Sequence, residues 1–283
     1  MNDTYSLAYS PCPNDTYIFA ALTNGLLDDA PRVDVVLDDV EALNLAAIDG
    51  RHALTKVSYG AIPYLHEHYR ILRAGGALGR GCGPLLIARP DTAGNVPALA
   101  TLPKDARIAI PGAMTTAYIL LQLALGRTPN AVVMRFDTIV DAVADGTVDA
   151  GLIIHESRFT YARAGLGSIV DLGDWWENTT GQPIPLGAIL ARRDLSDREV
   201  QRLDQSIRRS LRFAYEREDD IMPYVREHAF EMDEHVMRAH IALYVNEYSD
   251  DVGDAGIAAV IGLFTRAADA GLIPREREPE FVG

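Results

Sequence analysis

The chain has 283 residues, enough for one large or two medium domains, and its 48% apolar and 23% charged residues exclude wholesale disorder and leave material for a substantial core. Its formal net charge of −14 argues against nucleic acid and anionic membrane as partners, while leaving room for a small anionic ligand at a locally positive site. The longest apolar runs fall well short of the roughly 20 residues that a helix needs to cross a bilayer.

Met1-Asn-Asp-Thr-Tyr5 has no basic n-region, and Pro11, Pro13, Asn14 and Asp15 interrupt the stretch after it. No secretory signal is therefore expected, and a cytoplasmic location is. Cys12 and Cys82 make neither a zinc ligand set nor a disulfide framework, so reduced thiols are expected.

Leu7-Ala-Tyr9 reads as a strand, Ser10-Pro-Cys-Pro-Asn-Asp15 as a turn, and Thr16 to Leu22 as the start of a helix. Val33-Asp-Val-Val-Leu37 is a strand. Leu43 to Ile48 is helical, closes at Asp49-Gly50 and runs into the strand Ala53-Leu-Thr-Lys-Val-Ser58, where Lys56 and Ser58 alternate onto one face. Gly75-Gly-Ala-Leu-Gly-Arg-Gly-Cys-Gly83 lacks the order of a dinucleotide fingerprint and reads either as a mobile loop or as a stretch that lets backbones approach closely. Arg80 within it faces either a ligand or water. Leu85 to Ala88 is a strand leading into the Pro/Gly-rich stretch 89–97, a candidate crossover.

The opening pattern then recurs. Arg107-Ile-Ala-Ile110 is a strand, Pro111-Gly-Ala-Met-Thr115 a turn, and Thr116 to Leu123 a helix, with Tyr118-Ile119 matching Tyr17-Ile18. Ile139 to Ala144 is helical, closes at Asp145-Gly146 and leads to the apolar strand Gly151-Leu-Ile-Ile154, which ends in His155-Glu-Ser-Arg158. Trp175-Trp176 reads as packing rather than as a binding platform. Leu186 to Ala191 is a strand that carries the chain back. Helices follow at 196–217, opened by the capping box Ser196 to Glu199, at 233–248 and at 254–270.

These two half-units predict an α/β protein of two lobes. Residues 1–95 and 192–283 form one lobe and 96–191 the other, joined by a hinge of two crossing strands with a central cleft. Ligands in open α/β sheets sit at the carboxyl ends of strands. The segments then placed at the cleft are Ser10–Asp15, Thr55–Tyr59, Pro111–Thr116 and His155–Arg158. Helix N-termini in the first and third suit a carboxylate or phosphate. The threonines are equally compatible with ordinary N-capping. Locally, His155 reads either as a hydrogen-bonded core histidine or as a base near neutral pH.

Long motifs carry a more specific signal. Ser10-Pro-Cys-Pro-Asn-Asp-Thr-Tyr-Ile-Phe19, Leu54-Thr-Lys-Val-Ser-Tyr59, Gly75 to Arg80, Gly151-Leu-Ile-Ile-His-Glu-Ser-Arg-Phe-Thr-Tyr161, Asp171 to Trp176 and Pro185 to Arg193 together resemble the 1,4-dihydroxy-6-naphthoate synthase family of the futalosine route to menaquinone. The resemblance implies a periplasmic-binding-protein-like fold of two lobes used as a cytoplasmic carbon–carbon lyase. It implies cleavage of the small anionic substrate cyclic dehypoxanthinylfutalosine to 1,4-dihydroxy-6-naphthoate, with no redox cofactor or metal. It implies His155 as general base. Lys56, Val57 and Ser58, and the pair Thr115 and Thr116, map onto the family's substrate-binding stretches. Ser10 and Asn14 join them as expected substrate contacts. The alternatives are chorismate dehydratase of the same pathway, which the His-Glu-Ser-Arg-Phe-Thr-Tyr run disfavours, and a non-catalytic small-molecule binding protein.

Overall fold

The computed structural model describes residues 4–230, 233–275 and 278–283. Met1 to Asp3, on which the expectation of no leader partly rests, lie outside the described residues. The chain divides into two compact units, residues 1–79 with 185–283, and residues 80–184.

The first unit begins with β1 (Thr4–Tyr9), α1 (Pro13–Thr23), β2 (Arg32–Leu37), α2 (Val40–Ile48), β3 (Leu54–Ser58), β4 (Tyr69–Leu72) and β5 (Ala77–Gly79). Helix α1 starts earlier than the sequence suggests. Pro13 occupies its first position, where the missing N–H costs no hydrogen bond, so Asn14 and Asp15 belong to the first helical turn. Helix α2 is capped by the Asp39 carboxylate, which accepts the N–H groups of Glu41 and Ala42.

The second unit holds β6 (Leu85–Ala88), β7 (Arg107–Ile110), α3 (Thr116–Leu125), β8 (Asn130–Val133), α4 (Ile139–Ala144), β9 (Ala150–Ile153), α5 (Ser157–Thr160), β10 (Gly167–Asp171) and α6 (Leu172–Thr180). Gly151 lets α4 lie directly on β9: a Cβ there would stand 2.5 Å from Ile139 Cγ2. The unit's core gathers Leu85, Ile87, Ala109, Ile139, Val143, Val148, Ile153 and Leu166.

The chain re-enters the first unit through β11 (Ile184–Arg192). It then runs through α7 (Asp197–Glu216), α8 (Glu218–His228), α9 (Glu234–Tyr244), α10 (Glu247–Asp250) and α11 (Gly253–Asp269) to β12 (Phe281–Val282). The capping box of Ser196 and Glu199 opens α7. The helix expected over 233–248 breaks after Tyr244, because Asn246 caps a separate short helix. The first unit's core joins β1, α1, β3 and β11 to α7, α8 and α9.

The two sheets share one strand order. In the first, β4-β11-β3-β1-β2 run in sequence across the sheet, with β12 beyond β4 and β5 beside β11; in the second the order is β10-β6-β9-β7-β8. In each, the strand next to the β2 or β8 edge (β1 or β7) has two parallel neighbours, and an antiparallel strand follows (β11 on β3, β6 on β9). This is the topological form of the half-repeat.

The boundaries lie elsewhere than the sequence suggests. The chain crosses between Gly79 and Arg80 and between Ile184 and Pro185, not near 95 and 191. The reason is strand pairing: β6 pairs with β9 and β10, and β11 with β3 and β4, so each apolar run belongs to the sheet it enters. The stretch 89–97 is a loop inside the second unit, turned by the Asp91 carboxylate accepting the N–H groups of Ala93 and Asn95. Among the described residues, no helix is long and apolar enough to cross a membrane.

Candidate functional site

The expected site residues fall into one set in each unit. In the first unit, β1 and β3 are parallel neighbours, with Leu7 opposite Leu54 and Ala8 opposite Thr55. Ser10 and Lys56–Ser58 therefore reach the same carboxyl edge of the sheet. The centre of this set is Asp15, which the sequence reading did not select. Its carboxylate sits in the first turn of α1, where the helix dipole favours negative charge. Lys56 Nζ donates to Asp15 Oδ1 and to the Gly75 carbonyl, both at 2.8 Å. Ser10 Oγ donates to Asp15 Oδ2 at 2.8 Å and Asn14 Nδ2 to Oδ1 at 2.9 Å. Lys56 is 6% exposed and Asp15 2%. A pair so buried is sustained only by this density of hydrogen bonds.

Two further polar residues extend the network. Asn14 directs its amide nitrogen at Asp15, so its Oδ1 accepts, and His240 Nε2 on α9 donates to it at 3.0 Å. That contact sets the protonated nitrogen of a fully buried imidazole. Asn44 on α2 accepts the Ser58 N–H through Oδ1 at 2.9 Å and donates to Glu41 at 3.1 Å. The backbone around Val57 and Ser58 is thus held from the helix above. Asn44 left a trace in the sequence as a polar break in the apolar run Leu43 to Ile48. His240 left none beyond its place in a helix. The α1 N-terminus, expected to receive a ligand anion, already holds Asp15. Lys56 neutralises that carboxylate, which leaves this cluster no net negative charge with which to hold a metal ion.

In the second unit, β7 and β9 are parallel neighbours, with Ile108 opposite Ala150 and Ala109 opposite Gly151. The Thr115–Thr116 pair and His155 therefore follow strands that end on the same side of the sheet. Thr115 is the N-cap of α3: its Oγ accepts the Tyr118 N–H at 3.2 Å and donates to the Gly112 carbonyl at 2.9 Å. Thr116 opens the helix and is buried. The first turn of α3 carries no acidic residue, unlike that of α1.

His155 stands just past β9 with a φ of 57°. Left-handed backbone is unfavourable for a residue with a Cβ, and such strain collects at ligand and catalytic positions. The ring meets Phe136 edge to face, with centroids 4.9 Å apart at 66°. Glu156 and Ser157 are buried beside it.

The Arg158 guanidinium of the motif turns to other partners within the unit. Arg158 donates to the Gly83 carbonyl at 2.7 Å and to Asp171 Oδ2 at 2.5 Å. Asp171 also caps α6 by accepting the Gly173 and Asp174 N–H groups. Arg158 is thus a brace for the loop after β9. Gly83 and Gly173 meet backbone to backbone, since a Cβ on Gly83 would lie 2.1 Å from the Gly173 nitrogen. Of the two readings of the glycine-rich stretch, Gly83 follows the one of close backbone approach. Arg80 is tied to Glu177 at 3.2 Å and to the Gly181 carbonyl at 3.0 Å. Trp176 is a packing residue, fully buried with its N–H on the Pro183 carbonyl at 3.0 Å. Burial pushes the Cys82 thiol up to about 12, and Cys12 is buried at the α1 N-cap.

A family model described as menaquinone biosynthesis matches residues 5–269. The chain is 50% identical over 277 residues to the 1,4-dihydroxy-6-naphthoate synthase of Thermus thermophilus, covering 98% of each chain. It is similar to a solved structure of a protein from Archaeoglobus fulgidus, with a TM-score of 0.88, 36% identity, and coverage of 95% of this chain and 98% of that one. The periplasmic aliphatic sulphonate binding protein of Escherichia coli shares the fold at a TM-score of 0.68 and 11% identity, over 98% of this chain and 91% of that one. The architecture is therefore the periplasmic-binding-protein-like one. With a family model matched over most of its length and a half-identical relative covering nearly all of it, the chain belongs to the menaquinone-biosynthesis family.

Proposed function

We propose that the chain is a 1,4-dihydroxy-6-naphthoate synthase that cleaves cyclic dehypoxanthinylfutalosine, with His155 as the general base. The observation that carries this reading is the 50% identity to the Thermus thermophilus enzyme of that name across both chains. The strained backbone at His155 and the rigid edge-to-face contact with Phe136 support the assignment of the base.

In this mechanism the neutral imidazole accepts a proton from the substrate. The electron pair left behind opens the ring and expels the sugar-derived fragment, and aromatisation of the product supplies driving force. A single positioned base contributes about 10²–10⁴ in rate. Substrate contacts are assigned to Ser10, Asn14, Lys56, Val57, Ser58, Thr115 and Thr116. Support comes from their places at the carboxyl edges of the two sheets, where α/β folds bind ligands. Lys56 acts there mainly by holding Asp15, and through it Ser10 and Asn14, in fixed orientation. The α3 N-terminus, free of an acidic residue of its own, suits the substrate carboxylate.

The test is incubation of purified protein with cyclic dehypoxanthinylfutalosine and, separately, with chorismate, followed by mass spectrometry. Release of 1,4-dihydroxy-6-naphthoate from the first supports the reading. Dehydration of chorismate, or binding without turnover, overturns it.

A further inference from the structure

The edge strand β2 ends the first sheet. It pairs with β1 in an unbroken parallel register from Arg32 to Leu37, and among the described residues no strand lies on its other side. Exposed edges are commonly guarded by lysine, proline or a bulge. β2 has no lysine, proline or bulge, and its charged residues are the exposed Arg32 and Asp34. Instead Val35 and Val36, which point to opposite faces, are each 37% exposed. Val33 and Leu37 share the face of Val35 and pack partly against the core beneath α1.

A second copy of the chain could extend this sheet only in certain registers. An antiparallel pair of identical strands needs its two-fold axis normal to the sheet, so facing residues lie on the same face. The registers that engage most of the strand are centred on Asp34, Val35 or Val36. Centring on Asp34 sets that carboxylate against its own copy. Centring on Val36 sets Asp34 against Asp38 of the second copy. Like charges directly opposite are unfavourable. Centring on Val35 avoids both clashes. It places Arg32 opposite Asp38, Val33 opposite Leu37 and Asp34 opposite Val36, each twice over, and Val35 opposite itself. Arg32 and Asp38 are both exposed, and Asp38 continues the extended course of β2, its N–H donating to the Tyr9 carbonyl at 3.3 Å.

We infer that β2 is a self-pairing edge, through which two copies of this chain join antiparallel about Val35 into one continuous sheet. The occupant follows from the charge pattern, which is complementary to itself in this one register.

Sedimentation equilibrium of the full chain tests it. A concentration-dependent dimer is expected for the wild type. Val35→Lys, which sets two ammonium groups face to face at the two-fold axis, should give a monomer whose melting midpoint matches that of the wild type at dilutions where the wild type too is monomeric. Arg32→Asp alone should weaken dimerisation by about tenfold, since both symmetric pairs turn repulsive. Arg32→Asp combined with Asp38→Arg should restore it. A wild type that stays monomeric throughout, a dimer that survives Val35→Lys, or a double reversal no better than the single one would each overturn the inference. If the wild type is monomeric yet binds another protein through this edge, the partner is not a second copy and the inference is likewise wrong.

Discussion

Replacing Lys56 by methionine keeps the length of the side chain and removes only the charge that neutralises Asp15. The ammonium lies 2.8 Å from Asp15 Oδ1, and both groups are almost wholly buried. At an effective dielectric of about 20, Coulomb attraction at this separation is roughly 6 kcal/mol. Desolvation of the two ions offsets most of that in the intact pair, but removing one partner leaves the other charge buried. The usual cost of that is about 3–5 kcal/mol. Here Ser10 and Asn14 still donate to Asp15, so the lower end, about 3 kcal/mol, is expected. For a unit of this size that is a fall of roughly 6–12 °C in its melting transition, read by differential scanning calorimetry. Asp15→Asn should cost a similar amount, and the double substitution much less than the sum, since neither charge is then stranded. A Lys56→Met protein within about 2 °C of wild type, or strict additivity in the cycle, would refute the buried pair as the organiser of this edge.

The brace between Gly83 and Gly173 gives a second prediction. Gly83→Ala sets a Cβ 2.1 Å from backbone nitrogen, so it should destabilise the protein by more than about 3 kcal/mol in urea titration. Gly81→Ala meets nothing within 4 Å and strains only a φ of 65°, so it should cost about 1 kcal/mol. Equal effects would contradict the backbone contact. Acid sensitivity gives a third. Burial alone would raise the Asp251 carboxyl, but hydrogen bonds from Arg73, the Gly253 N–H and Arg208 outweigh it and pull it down to about 2. A folded value below the unfolded one stabilises at pH above the unfolded value and is lost as pH falls through the folded one. The gap in denaturant midpoint between wild type and Asp251→Asn should thus be full at about pH 6 and close between about pH 4 and pH 2. A gap that is constant with pH would show that Asp251 does not act through its charge.

The parts of the fold legible in the sequence were those with strong local signals. The apolar strands at 85–88 and 107–110, the capping box at Ser196 and the strand–turn–helix units at Ser10 and Pro111 all occur, and the matched sheet orders show why the two halves read alike. Strands β4, β8 and β10 are short and mixed in polarity, so no alternation marks them. Helix α8 was obscured by Pro223 within it. Boundaries failed because pairing, not apolarity, decides which sheet a strand joins. In the candidate site, the position of His155 at a strand end was readable, because the apolar run before it stops there. The internal partners were not. Asp15 and Lys56 lie far apart in sequence, as do Asn14 and His240, and only the parallel pairing of β1 with β3 and the packing of α9 on α1 bring them together. Arg158 stands in the same motif as His155, yet its hydrogen bonds go to Gly83 and Asp171.

The central claim is that His155 removes the proton that starts the cleavage. Asparagine is the informative replacement, because it tolerates the left-handed backbone that His155 adopts at a φ of 57° and so separates loss of the base from local misfolding. The measurement is the rate of 1,4-dihydroxy-6-naphthoate release from cyclic dehypoxanthinylfutalosine by wild type and His155→Asn, alongside substrate binding by calorimetry. The account predicts turnover by the wild type and a loss of about 10²–10⁴ in kcat for the variant, with binding and melting midpoint retained. A variant that turns over at the wild-type rate would contradict it.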